Sequence, residues 1–206
     1  LNIPKLFPLC GIYETADHKE IEQNYGKAVQ AIYPIKGKRT RHYAFYDELD
    51  IKQLSEDRLM EDVFEDALKN GEFQLWYQPK VDPVTGNILG AEALIRWKRP
   101  DGTMLSPGKF IPLFEKHGNI TTLDEYVFRT VCAQQQRWLQ AGATLYPISV
   151  NISRVSLYYS NVVDKYREIL NSFRLDPKYV PLEITESATI DNSDISSLID
   201  QFHEAG

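Results

Sequence analysis

The chain has 206 residues, is 43% hydrophobic and carries a formal net charge of −6, which permits one or two domains with a real core and argues against a broad footprint on polymeric nucleic acid. No apolar run approaches the eighteen or so residues of a membrane span, and no charged-then-apolar leader opens the chain. Cys10 and Cys132 are too few for a disulfide framework, so the expectation is a globular protein of a reducing compartment, the cytoplasm, with no membrane element in the visible portion.

Taken in order, Lys5 to Tyr13 is a short apolar run of strand character. Ile21, Tyr25, Ala28, Val29 and Ile32 recur at helical spacing in a segment that stops near Pro34, and Arg41 to Tyr46 reads as a second strand. These roughly fifty residues are too few for an independent domain. The basic run Lys36 to His42 reads as a solvated turn. Leu59, Met60, Val63, Phe64, Ala67 and Leu68 then make a helical face after a Ser55 cap, with Gly71 as its stop.

The centre of the chain is a hairpin. Phe73 to Gln78 is an aromatic-rich strand, Asp82-Pro83-Val84-Thr85-Gly86 carries turn chemistry, and Asn87 to Trp97 returns as a second apolar run. So short a loop makes the two strands antiparallel neighbours. The period of two puts Ile88, Gly90, Glu92, Leu94 and Arg96 on one face and Leu89, Ala91, Ala93, Ile95 and Trp97 on the other. Both faces are mostly apolar, so the strand is expected to be covered on both sides and Glu92 to be buried, in need of a cation.

Beyond the hairpin, Pro100-Asp101-Gly102 is a turn, and Ser106-Pro107 opens a short helix through Phe110, Leu113 and Phe114. Thr122 with Glu125 forms a capping-box pattern for a longer helix whose buried stripe is Leu123, Tyr126, Val127, Thr130, Val131 and Trp138 and whose stop is Gly142. Tyr146 to Ile152 reads as a buried strand with Ser149, Asn151 and Ser153 on one side. Leu157 to Phe173 reads as one helix closed by Asp176-Pro177, Val180 to Thr185 as a strand, and Ile195, Leu198, Ile199 and Phe202 as a final helix. Strand and helix alternate from Phe73 onward, the pattern of a parallel α/β sheet or barrel.

Three strands carry a polar residue that a purely structural strand does not need: Glu92, Asn151 and Glu183. If active-site groups gather at the carboxyl ends of barrel strands, these three can meet around one ion. All are hard oxygen donors without sulfur or imidazole beside them, which favours Mg²⁺ or Mn²⁺. From spacing alone each also has a structural reading: Glu92 a carboxylate satisfied by a neighbouring donor, Asn151 an amide bonded to backbone, Glu183 a strand-end ion pair or helix cap. Arg96 lies roughly 13 Å beyond Glu92 along an extended strand, so it belongs at the rim, facing either a phosphate oxygen or an acidic neighbour.

Tyr77-Gln78-Pro79-Lys80-Val81, Glu92-Ala93-Leu94-Ile95-Arg96-Trp97, Val150-Asn151-Ile152-Ser153 and Leu182-Glu183-Ile184-Thr185-Glu186-Ser187 occur in this order over about the last two thirds of the chain. They resemble the EAL domain family, cyclic di-GMP phosphodiesterases. The resemblance implies an incomplete TIM-like (β/α)8 barrel with an antiparallel first strand, metal ligands Glu92, Asn151 and Glu183 for Mg²⁺ or Mn²⁺, and a catalytic pair of Glu92 and Glu186, the latter bracing an active-site loop. It further implies substrate contacts from Arg96 to a phosphate and from Gln78 to a guanine edge. The implied reaction is hydrolysis of cyclic di-GMP to the linear dinucleotide; the alternative is a receptor that binds the dinucleotide without cleaving it. It leaves room for a homodimer through the EAL domain.

Gly11-Ile12-Tyr13, Ala28 to Lys38 and His42-Tyr43-Ala44-Phe45-Tyr46-Asp47-Glu48 resemble the tail of a GGDEF domain, an α+β fold whose signature loop and metal-binding carboxylates are not among these residues. The implied division is a GGDEF-like remnant over 1–50, a linker helix over 51–72 and the first half of an EAL domain over 73–206. The family's Asp pair, lysine and later glutamate and glutamine would follow residue 206. Both ends therefore read as cuts in a longer signalling protein, and the 206-residue chain alone is expected to be inactive.

Overall fold

The computed structural model describes residues 8–15, 19–36, 41–159, 161–184 and 193–206, and the chain divides into two units, 1–64 and 65–206. In the first, β1 (Cys10–Ile12) and β2 (Tyr43–Phe45) pair in parallel across α1 (Ile21–Gln30). A parallel pair needs a crossover of this kind, since a tight turn returns the chain antiparallel. Gly11 permits the packing: a Cβ there would stand 1.7 Å from the Ala28 carbonyl oxygen. Tyr13 and Tyr46 meet edge to face with centroids 5.4 Å apart, and Lys27 Nζ lies 4.7 Å over the Tyr13 ring. The expected apolar face of α1 is only partly covered, with Ile21 and Tyr25 exposed, and burial shifts to Ala31 and Ile35 beyond it. Residues 37–40 of the basic run lie outside the described residues.

Two helices stand where one is expected after Ser55. α2 (Glu48–Asp62) starts well before that serine, which is therefore interior to it, and α3 (Phe64–Lys69) follows. Gly71, at φ 69°, stops α3 as the sequence predicts.

The second unit is an α/β fold on a central sheet. β3 (Phe73–Val81) pairs antiparallel with β4 (Ile88–Lys98), and β6 (Ile148–Ile152) and β7 (Leu182–Ile184) continue in parallel, giving the order β3-β4-β6-β7. A two-residue strand, β5 (Met104–Leu105), pairs with β4 and has no counterpart in the sequence reading. The hairpin turn is held by Asp82, whose Oδ1 accepts from the backbone N–H of Val84 (2.7 Å) and Thr85 (3.0 Å), and Gly86 supplies the positive φ. Gly90 lets β4 approach β6: a Cβ there would lie 2.6 Å from the Pro147 carbonyl oxygen, which accepts the Ala91 N–H at 2.9 Å.

Among the described residues, helices pack on one face of this sheet. α4 (Pro107–His117) brings Phe110 and Phe114 onto Phe73 and Trp97, four rings with centroids 4.8–6.3 Å apart. Burying each such ring is worth about 1.5–3 kcal/mol. α5 (Ile120–Gln140) buries Leu123, Val127, Val131 and Cys132, and its Gln135 side chain, fully covered, donates to the carbonyls of Tyr146 and Tyr179 at 2.7 and 2.9 Å. Burial pushes the Cys132 thiol up to about 12.

α5 starts two residues before the expected Thr122 cap, directly after Gly118 ends α4 in the left-handed conformation. Glu125 of that pattern instead pairs with Arg129 and with Lys165. Trp138, expected in the buried stripe, is 37% exposed. The single helix expected over 157–173 is two: α6 (Arg154–Leu157), capped by the Ser153 hydroxyl, and α7 (Val162–Phe173). α8 (Ser193–Ala205) is the last element. Among the described residues no helix is long and apolar enough to cross a membrane.

Candidate functional site

The uncovered face of the sheet follows from strand parity. Ala93, Ile95 and Trp97 of β4 and Ile148, Val150 and Ile152 of β6 are buried under the helices. Their alternates, Glu92, Leu94, Arg96, Ser149 and Asn151, therefore point to the other side. On β3 the residues of this parity are Gln74, Trp76, Gln78 and Lys80, all exposed, and on β7 the half-buried Glu183 alternates with Leu182 and Ile184. Pairing fixes the levels: Gln78 stands opposite Glu92, Glu92 beside Ser149, and Asn151 beside Glu183.

Glu92, Asn151 and Glu183 thus lie on one face of three successive strands. Asn151 Nδ2 donates to Glu92 Oε1 at 2.8 Å, so these two are in direct contact. Glu92 is half-buried, not buried as its apolar neighbours suggested. The physical reason is that among the described residues no helix covers this side, and its flanking positions are the polar Gln78, Ser149 and Asn151.

Glu183 is engaged differently. Lys80 Nζ pairs with Glu183 Oε1 and also donates to Ser149 Oγ at 2.9 Å. Burial pushes the Glu183 carboxyl up, but the Lys80 ammonium and the Ser149 hydroxyl outweigh it and hold the group below its ordinary range. Lys80 reaches from β3 to β7, strands separated by both β4 and β6. On a flat sheet these strands would stand about 14 Å apart, so the contact requires the sheet to curl around this face.

Arg96 stands four residues beyond Glu92 on the same face of β4 and is half-buried. Its Nη1 donates to the Ile95 carbonyl at 2.8 Å, and its guanidinium carbon lies 5.9 Å from the centre of the Trp76 ring. Gln78 is exposed on the same face. Glu186 lies outside the described residues, as do Thr185 and Ser187 of its motif.

Behind this face, Asp124 of α5 anchors the turn that follows Asn151. Its Oδ2 accepts from the Ser153 N–H at 2.9 Å and from the Ser156 hydroxyl at 2.7 Å. Burial raises its carboxyl, with those hydrogen bonds opposing only in part. Neither Lys80 nor Asp124 was singled out from the sequence. Strand parity offered a signal for Lys80, two residues from Gln78 and so on the same face; nothing local marked Asp124.

The donors Glu92, Asn151 and Glu183 are hard oxygens on one face, and this donor set fits Mg²⁺ or Mn²⁺, ions that keep several waters. Among the described residues there is no group of three or more His, Cys, Asp or Glu placed to hold a metal.

An antiparallel strand leading into parallel strands that carry Glu, Asn and Glu on one face matches the order of motifs in the sequence. The EAL domain model matches residues 61–206, and the chain belongs to the EAL domain family. Among curated relatives it is 34% identical over 170 residues to the bifunctional diguanylate cyclase/cyclic di-GMP phosphodiesterase MucR of Pseudomonas aeruginosa, an alignment covering 82% of this chain and 25% of that protein. The chain therefore spans about a quarter of that relative's length. A solved PaMucR phosphodiesterase in complex with c-di-GMP superposes with a TM-score of 0.67 at 34% identity, covering 72% of this chain and 60% of that one. The Vibrio cholerae LapD S helix-GGDEF-EAL structure bound to c-di-GMP gives a TM-score of 0.62 over 95% of this chain and 47% of that one; at 18% identity this is a likeness of fold alone.

Proposed function

We propose that this chain is the nucleotide-binding part of a cytoplasmic GGDEF-EAL signalling protein that hydrolyses cyclic di-GMP to the linear dinucleotide with Mg²⁺ or Mn²⁺. The observation that carries the reading is the single face on which Glu92, Asn151 and Glu183 stand on neighbouring strands, with Asn151 bonded to Glu92. Residues 73–206 would be the first half of a (β/α)8 barrel, 51–72 the linker, carrying most of α2 and all of α3, and 1–50 the GGDEF-like remnant; the likeness of fold to LapD over 95% of the chain supports this division.

In this reading Glu92, Asn151 and Glu183 hold the ion, which when bound polarises the phosphodiester and lowers the pKa of the attacking water. Arg96 orients a phosphate through charge-assisted hydrogen bonds and Gln78 meets a guanine edge; the family resemblance assigns Glu186, outside the described residues, to bracing an active-site loop. Lys80 keeps Glu183 ionised and directed onto the face. The same ion pair favours the second reading, a receptor, because it already neutralises one of the carboxylates that the ion would need.

The test is chromatography of cyclic di-GMP incubated with Mn²⁺. The longer polypeptide releases the linear dinucleotide, Glu92→Ala abolishes release without unfolding the protein, and the 206-residue chain alone binds without turnover. Binding with no turnover by the longer polypeptide establishes the receptor. Normal turnover by Glu92→Ala refutes the ligand assignment.

A further inference from the structure

Tryptophan is usually covered in a folded protein, yet Trp76 is 55% exposed on the same face as Glu92. Its level is fixed by register. Trp76 stands opposite Leu94, Gln78 opposite Glu92 and Gln74 opposite Arg96, so the indole lies one pleat above the candidate ligand Glu92 and one below Arg96. The Arg96 guanidinium carbon is 5.9 Å from the centre of the ring, and Arg96 Nη1 is tied to its own strand through the Ile95 carbonyl. The face therefore offers, in ascending order, a carboxamide beside a carboxylate, an aromatic plate beside an aliphatic side chain, and a guanidinium 5.9 Å from the plate's centre.

We infer that Trp76 is the stacking platform for one purine base of the bound dinucleotide, and that its contact with Arg96 turns the guanidinium toward the phosphate attached to that base. The inference rests on the proposed reading of the ligand and adds a residue and a role to it. A base stacks on an aromatic plate whatever its identity, which supplies affinity. Choice among bases falls to Gln78, which shares the face two residues along the strand and carries both a donor and an acceptor on its amide. The cation 5.9 Å from the plate's centre suits a phosphodiester, whose attached base is then within reach of the indole. Trp97 is fully buried and Trp138 belongs to α5, so Trp76 is the tryptophan whose surroundings a ligand on this face would change.

The experiment measures cyclic di-GMP binding to the 206-residue chain in the presence of Mn²⁺, by calorimetry and by tryptophan fluorescence. The expected result is that Trp76→Ala weakens binding by about tenfold or more. Trp76→Phe, which keeps a plate, stays near wild type in calorimetry but loses the fluorescence change. Because Trp76 is exposed, unchanged far-ultraviolet circular dichroism in both variants separates lost binding from lost folding. An unchanged dissociation constant in Trp76→Ala, or a fluorescence change that survives in Trp76→Phe, overturns the platform while leaving the proposed function standing. No binding by the wild-type chain overturns both.

Discussion

Replacing Lys80 with methionine keeps the aliphatic stem and removes the ammonium that joins β3 to Glu183 and Ser149. The two charged side chains are 46% and 39% exposed, so their attraction is screened and contributes about 0.2–1 kcal/mol. The hydrogen bond to Ser149, a residue only 3% exposed, adds about 1 kcal/mol. Together the substitution should cost about 1–2 kcal/mol, a fall in melting temperature of about 2–8 °C for a chain of this size. The sign with pH follows from Glu183. Its carboxyl is held below the ordinary glutamate range, so the ion pair stabilises the fold above about pH 4.3 and that contribution is lost as pH falls through the lowered folded value. Thermal melts of wild type and Lys80→Met at pH 7 and pH 3 should therefore differ more at pH 7, with Lys80→Arg between them at pH 7. Equal differences at both pH values, or none at pH 7, would refute the argument that this ion pair stabilises the fold.

Asp124 has the opposite sign: burial raises its carboxyl, so its contribution is fullest below about pH 3.9 and declines as pH rises through the folded value. Asp124→Asn should flatten that decline in a pH series of denaturant midpoints, whereas Asp124→Ala, which strips the Ser156 hydroxyl and the Ser153 N–H of their acceptor, should cost about 1–3 kcal/mol; matching pH profiles for wild type and Asn would contradict the assignment. Gly90→Ala places a methyl 2.6 Å from the Pro147 carbonyl oxygen and should destabilise the second unit by about 1–3 kcal/mol in urea titration, an unchanged midpoint showing that β4 and β6 do not approach so closely.

The hairpin was legible because everything that makes it is local. Asp82, Gly86 and the alternation along Ile88 to Trp97 act within a few residues of one another, and the structure places turn and strands where that chemistry puts them. Helix ends were legible where a glycine takes a positive φ, as at Gly71 and Gly142. The start of α5 was not: Thr122 and Glu125 have the spacing of a cap, but Gly118 had already ended the preceding helix, and Glu125 found Arg129 and Lys165 instead. A local pattern states what a residue can bond, and packing decides what it does bond.

The site divides the same way. A period of two is a property of the chain, so which residues share the face with Glu92 could be read before any fold was known. Which of the two faces the helices would cover depended on where α4 and α5 pack, and Glu92 proved half-buried for that reason. Lys80, Ser149 and Glu183 are separated by as many as 103 positions, and nothing near any of them in sequence names the other two. Their meeting required the strand order β3-β4-β6-β7 and a sheet curled enough for a side chain on one outer strand to reach the other. Sequence alone determined the side on which each group stands, because side-chain direction is set by the backbone's own repeat; tertiary structure decided which groups touch, because contact depends on the distance between strands that the chain joins only through long crossovers.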